Sequence, residues 1–122
     1  MKKVLVIDDS ATVRQQVCAA LCGAGFSVVE ATDGADGLVQ LERNADVVMV
    51  LCDLNMPHMN GLEMLESLQA SGGARGVPVL MLTTEAAPAL VDRAKKAGAK
   101  GWIVKPFKAE LLLGAVRKLT AA

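Results

Sequence analysis

Aromatic side chains are nearly absent: the 122 residues include one Trp, two Phe and no Tyr. The core must therefore be aliphatic, and Trp102 becomes a residue to explain. Cysteine is scarce as well. Its three copies make no paired framework, and Cys18 and Cys22 lack a matching ligand pair, so neither a disulfide scaffold nor a cysteine metal site is expected. An excess of charge of one sign is missing too, with 13 basic and 13 acidic residues. This balance argues against a dedicated nucleic-acid binder. A hydrophobic share of 52% against 21% charged excludes a disordered chain. Long apolar runs are also lacking: the N-terminal one stops after four residues, at Asp8, so no membrane span or secretory core is expected. The expectation is one cytoplasmic, monomeric domain over residues 1–122, with no effector domain attached. Overall neutrality hides an asymmetry, because eight basic residues face two acidic ones from Asp92 onward, against five and eleven before it.

Strand and helix patterns alternate five times. Val4–Ile7, Val47–Cys52 and Val77–Leu82 are apolar runs of the kind seen in strands covered on both faces. Ser27–Ala31 and Gly101–Val104 read as shorter strands. Between them lie helical patterns: one after Ser10, one from Ala35 to Arg43, one carrying Leu62, Leu65 and Leu68, and one with Pro88 in its first turn. Leu111 to Leu119 forms the last. Such alternation predicts a doubly wound α/β domain with a five-stranded parallel sheet, and the flavodoxin-like order 2-1-3-4-5 suits five strands best.

Ligands of open parallel sheets bind beyond the carboxyl ends of the strands. Four of the five predicted strands end in chemically capable residues: Asp8-Asp9, Asp53, Thr83 and Lys105. Taken singly, each has an ordinary reading as a cap, turn or solvated strand end. Together at one edge they are far less expected by chance. With the first and third strands adjacent, their ends lie about 5 Å apart. Two like charges at 4 Å repel by roughly 4 kcal/mol at an effective dielectric of 20. Three crowded carboxylates thus call for a hard cation, Mg²⁺ first and Mn²⁺ as a substitute, or for a retained proton. With a cation present, Asp53 qualifies as a nucleophile that forms an aspartyl phosphate. Lys105 and the Thr83 hydroxyl can then each meet a phosphoryl oxygen.

The motifs VLVIDDS (4–10), VLCDLNMPHMNG (50–61), VLMLTTE (79–85) and GAKGWIVKPF (98–107) resemble the response-regulator receiver domain of two-component signalling, in its single-domain chemotaxis form. The resemblance runs from Lys2 to about Leu119. It implies that Asp53 is phosphorylated by a histidine kinase or histidine phosphotransfer protein. It also implies that Asp8, Asp9, Asp53 and the Asn55 backbone carbonyl hold Mg²⁺, that Thr83 and Lys105 contact the phosphoryl group, and that the Lys105–Pro106 peptide is cis. Thr83 and Trp102 would form the switch, with Trp bulkier than the usual Tyr or Phe. Asn55 and Glu85 would act on the water that removes the phosphoryl group, so the chain is not expected to be a turnover enzyme. Output is expected through a downstream protein, such as a chemotaxis or flagellar component, docking on the fourth helix, fifth strand and fifth helix. That face would carry Arg93, Lys95, Lys96, Lys100, Trp102, Lys108, Arg117 and Lys118. A phosphorelay intermediate and a phosphate sink stay open as alternatives. From another class, an Mg²⁺-dependent aspartate-nucleophile phosphatase would carry a second aspartate where Asn55 stands, and a flavin carrier would not place Asp8-Asp9 in its phosphate loop.

Overall fold

The apolar runs form a five-stranded sheet in the order β2-β1-β3-β4-β5, with every neighbouring pair parallel. The structure is a computed structural model that describes residues 2–54, 60–70, 77–84 and 88–120. Its strands are β1 (Lys3–Ile7), β2 (Ser27–Ala31), β3 (Val47–Asp53), β4 (Val79–Thr83) and β5 (Gly101–Val104). Its helices are α1 (Ala11–Gly23), α2 (Gly34–Arg43), α3 (Gly61–Ala70), α4 (Pro88–Lys96) and α5 (Ala109–Thr120). The expected strand order and fold class are therefore those of the molecule.

Two aliphatic cores form because successive strand residues point to opposite faces. Leu5, Ile7, Val50, Cys52, Val79 and Met81 pack with Leu41, Leu62, Leu65 and Ala94, which come from α2, α3 and α4. Val4, Val6, Met49, Leu51, Leu80, Leu82 and Ile103 pack with Val17 and Leu21 of α1 and Leu112 and Val116 of α5. The alternation of β1 thus feeds both layers, which is why its run reads as continuously apolar. Phe26 joins the α1/α5 core, and Trp102 packs half-buried against the other.

Three strands differ from the sequence reading at their boundaries, β1 by starting at Lys3 rather than Val4. β4 starts at Val79 rather than Val77, because Pro78 has no N–H for the ladder and contributes only its carbonyl, which accepts from the Val50 amide at 3.0 Å. β3 and β4 each run one residue further than expected, so Asp53 and Thr83 are the last ladder residues rather than the first loop residues. That extension makes them rigid. Ser71-Gly72-Gly73, the helix-breaking stretch that follows the third helical pattern in the sequence, lies outside the described residues. No helix among the described residues is long and apolar enough to cross a membrane.

Candidate functional site

The register decides which polar residues meet. Ile7 pairs with Cys52, so the next step along both strands brings Asp8 beside Asp53. Asp53 pairs with Leu82, and Thr83 with Val104, which sets Thr83 and Lys105 at the same sheet edge. The Lys105 amide donates to the Thr83 carbonyl at 2.7 Å, locking the exit of β5 to the end of β4. The Lys105–Pro106 peptide is cis.

Carboxylate oxygens of Asp8, Asp9 and Asp53 all lie within 4.8 Å of one another. Asp8 and Asp53 are buried at 1% and 6% exposure, whereas Asp9 is exposed and opens the cluster to solvent. Asp8 is held on both oxygens: Oδ1 accepts the Ser10 amide at 2.9 Å, and Oδ2 accepts the Lys105 ammonium at 2.7 Å. The same ammonium stands 3.4 Å from Asp53 Oδ1. One cation therefore offsets two buried anions, and the third carboxylate remains beside them.

Burial pushes the Asp53 carboxyl above its ordinary value, and the neighbouring Asp8 charge pushes it further. Lys105 and the Leu54 amide pull it back without reversing the direction. An uncompensated ionised Asp53 is thus costly, and additional positive charge at this edge would relieve it. The donor set suits a hard divalent ion, since it offers only oxygens and one open side where waters can complete the shell. Cys52 beside it is inert: burial first, then Asp53 and Asp8, push its thiol far up.

The backbone behind Asp53 is as constrained as the carboxylates. A Cβ on Gly61 would come within 2.3 Å of the Asp53 carbonyl oxygen and 2.8 Å of Met81 Cε, so only glycine fits there. α3 begins at this point through a reciprocal cap. The Glu63 amide donates to Asn60 Oδ1 at 2.9 Å, and the Asn60 amide to Glu63 Oε1 at 3.1 Å. No role was assigned to Asn60 or Gly61 from sequence; the Asn-x-x-Glu spacing was the available signal. Arg14 was also missed. Its Nη1 donates to the Asp8 carbonyl, and its Nε to Glu30 Oε1 at 3.0 Å.

Thr83 is fully buried at the edge. Asn55 and Glu85 lie outside the described residues. On the expected output face, Lys95, Lys96, Lys100, Lys108, Arg117 and Lys118 are exposed. Arg93 is instead committed to α3, with Nε and Nη2 donating to the two Glu66 oxygens at 2.9 and 2.7 Å. Trp102 lines a hollow of about 70 Å³ with Val91, Ala94 and Ala99, and a wider one of about 280 Å³ with Leu111, Ala115 and Leu119.

Residues 4–117 match the family model described as the response regulator receiver domain. The chain belongs to this family. It is 40% identical over 111 residues to the chemotaxis protein CheY1 of Helicobacter pylori, covering 90% of each chain. A chemotaxis protein CheY homolog of Campylobacter jejuni is also 40% identical over 111 residues, covering 90% of this chain and 85% of that one. Among solved structures, CheY4 of Vibrio cholerae superposes with a TM-score of 0.90 at 39% identity over 98% of both chains. A CheX–CheY–BeF3–Mg²⁺ complex from Borrelia burgdorferi gives 0.90 at 26% identity, over 97% of this chain and 88% of that one. The receiver is thus of the CheY type, with an acidic cluster able to bind a metal.

Proposed function

We propose that this receiver is a phosphorylation-activated switch in which Asp53 accepts a phosphoryl group from a phosphohistidine of a kinase or phosphotransfer protein. The observation that carries the reading is the three-carboxylate cluster at the strand ends, with Lys105 bridging Asp8 and Asp53. In the forward step an Asp53 carboxylate oxygen attacks phosphorus, the P–N bond breaks, and the imidazole leaves with the bonding pair. Most of the catalysis is positioning and charge stabilisation. Asp53 is presented by a rigid strand end whose backbone is pinned against Gly61. Lys105 is already 3.4 Å from Asp53, so it can pass from that carboxylate to an oxygen of the arriving group.

Asp8, Asp9 and Asp53 would hold Mg²⁺, or Mn²⁺ in its place, with the Asn55 carbonyl as a further ligand. The chemistry supplied by the bound ion is charge neutralisation on the phosphoryl oxygens. Thr83 would hydrogen-bond another of those oxygens and, with Trp102, carry the change to α4, β5 and α5. A downstream protein, such as a chemotaxis or flagellar component, would dock there against the exposed lysines, Arg117 and Trp102. The Borrelia CheY structure in complex with CheX supports a protein partner for a receiver of this type. Reversal is hydrolysis: water attacks phosphorus, inorganic phosphate leaves, and the Asp53 carboxylate is restored, with Asn55 and Glu85 acting on the water.

The test is intact mass after acetyl phosphate treatment with Mg²⁺. An adduct of one phosphoryl group, absent in Asp53→Asn and labile in base, is the expected result. No adduct on the wild type, when quenched at once in acid, would refute phosphoacceptor function. Beryllofluoride added with Mg²⁺ should change Trp102 fluorescence in the wild type and not in Asp53→Asn.

A further inference from the structure

The strand β1 ladder ends at Ile7, yet Asp8 must present its carboxylate in one direction for the cluster to form. Its amide donates to the Ala31 carbonyl at 3.1 Å, and its carboxylate is held by Ser10 and Lys105. The remaining polar group of the residue is its carbonyl, which Arg14 takes. Arg14 lies one turn into α1, where its amide donates to the Ser10 carbonyl at 3.0 Å. Long side chains on a helix lean back toward its N-terminus, which returns this guanidinium to the end of β1. Glu30, on β2 opposite Val6, then orients it through Nε at 3.0 Å. The Arg14 side chain is 16% exposed and its bond to the Asp8 carbonyl is partly buried, whereas Glu30 is 52% exposed and meets the guanidinium on its solvent side.

We propose that Arg14 is a positioning residue for the carboxylate cluster. Its fork holds the Asp8 peptide and thereby aims the Asp8 carboxylate, and Glu30 holds the fork. The inference rests on the reading of the cluster as a divalent-cation site. A planar guanidinium can engage the Asp8 carbonyl and Glu30 through different nitrogens at fixed geometry, which a lysine ammonium cannot reproduce. Charge alone makes the opposite forecast. A cation close to three carboxylates competes with a bound divalent ion, so deleting it should tighten binding. Positioning requires that deletion weakens it.

The experiment is calorimetric titration of the full chain with Mg²⁺ for the wild type, Arg14→Ala, Arg14→Lys and Glu30→Ala. Thermal unfolding in a chelator, run in parallel, reports the structural cost separately. Groups that orient metal ligands typically change affinity by about 10- to 100-fold when lost. Arg14→Ala is expected to weaken Mg²⁺ about tenfold, with Arg14→Lys close behind and Glu30→Ala weaker in the same direction. Arg14→Lys at wild-type affinity, or Arg14→Ala binding as tightly as the wild type or more so, overturns the proposal, even if either variant melts earlier. Should Arg14→Ala fail to fold, Arg14→Lys and Glu30→Ala decide the matter. A wild type that shows no Mg²⁺ binding would instead overturn the cation-site reading, and this inference with it.

Discussion

Replacing Lys105 by Met removes the one cation that, among the described residues, bridges the two buried carboxylates, while keeping most of the side-chain volume. The ammonium sits 2.7 Å from Asp8 and 3.4 Å from Asp53. At an effective dielectric of 20 these attractions come to roughly 6 and 5 kcal/mol. Repulsion between Asp8 and Asp53, whose oxygens lie within 4.8 Å, opposes them by at least about 3.5 kcal/mol. Dehydrating an ammonium that is 13% exposed removes several kcal/mol more. Breaking a buried pair from one side usually costs 3–5 kcal/mol, and the open flank at Asp9 places this case near the lower end, about 3 kcal/mol. For a domain of this size that corresponds to a fall in Tm of roughly 12 °C. The assay is urea unfolding at pH 7.5 in a chelator, repeated with Mg²⁺. Lys105→Met should lose about 3 kcal/mol in the chelator and recover more on adding Mg²⁺ than the wild type does, because no ammonium then competes for the carboxylates. The loss should shrink toward pH 4, where Asp53, already raised by burial and Asp8, takes up its proton. Equal stability of the two proteins in the chelator, or a smaller Mg²⁺ gain in the variant, would refute the assignment of Lys105 as the counter-charge of this cluster.

Two further outcomes follow from the same geometry. Asp53→Asn should stabilise the metal-free protein at pH 7.5. The folded state prefers Asp53 protonated, so that preference is satisfied below the ordinary aspartate value and lost as pH rises through the higher folded one. The gain of the variant should therefore vanish near pH 4 in chemical denaturation, and a destabilised variant at neutral pH would contradict the sign. Gly61→Ala should cost at least about 2 kcal/mol, because its Cβ meets a backbone oxygen at 2.3 Å that cannot rotate away. It should also slow acetyl phosphate labelling of Asp53; labelling at the wild-type rate would show that the close approach does not set the position of the acceptor.

The apolar runs and their stop residues made the fold and most of the cluster legible. Each strand of β1, β3 and β4 is buried on both faces, so its composition announces it, and the first charged or hydroxyl residue marks where the sheet edge meets solvent. Asp8, Asp53, Thr83 and Lys105 were visible for that reason. The limits of β4 were less visible because apolar Val77 continues the run, whereas pairing depends on the N–H that Pro78 lacks. Arg93 looked like one of several surface cations, since nothing in its neighbourhood along the chain reveals Glu66 on the adjacent helix.

Local pattern, by itself, determined the alternation of elements, the doubly wound parallel sheet and the kind of chemistry its edge can hold. Hydrophobic periodicity and chain punctuation are short-range properties, and a strand or cap needs only its near neighbours to be specified. Tertiary structure alone decided how the charges are shared. Lys105 reaches Asp8 across 97 positions of sequence, and its 2.7 Å contact exists only because strand order and register bring those two strand ends together. The Arg14 fork on the Asp8 carbonyl and the contact of Gly61 with the Asp53 backbone have the same origin. These are distances between elements, fixed by packing at a few tenths of an ångström, and no pattern within an element encodes them.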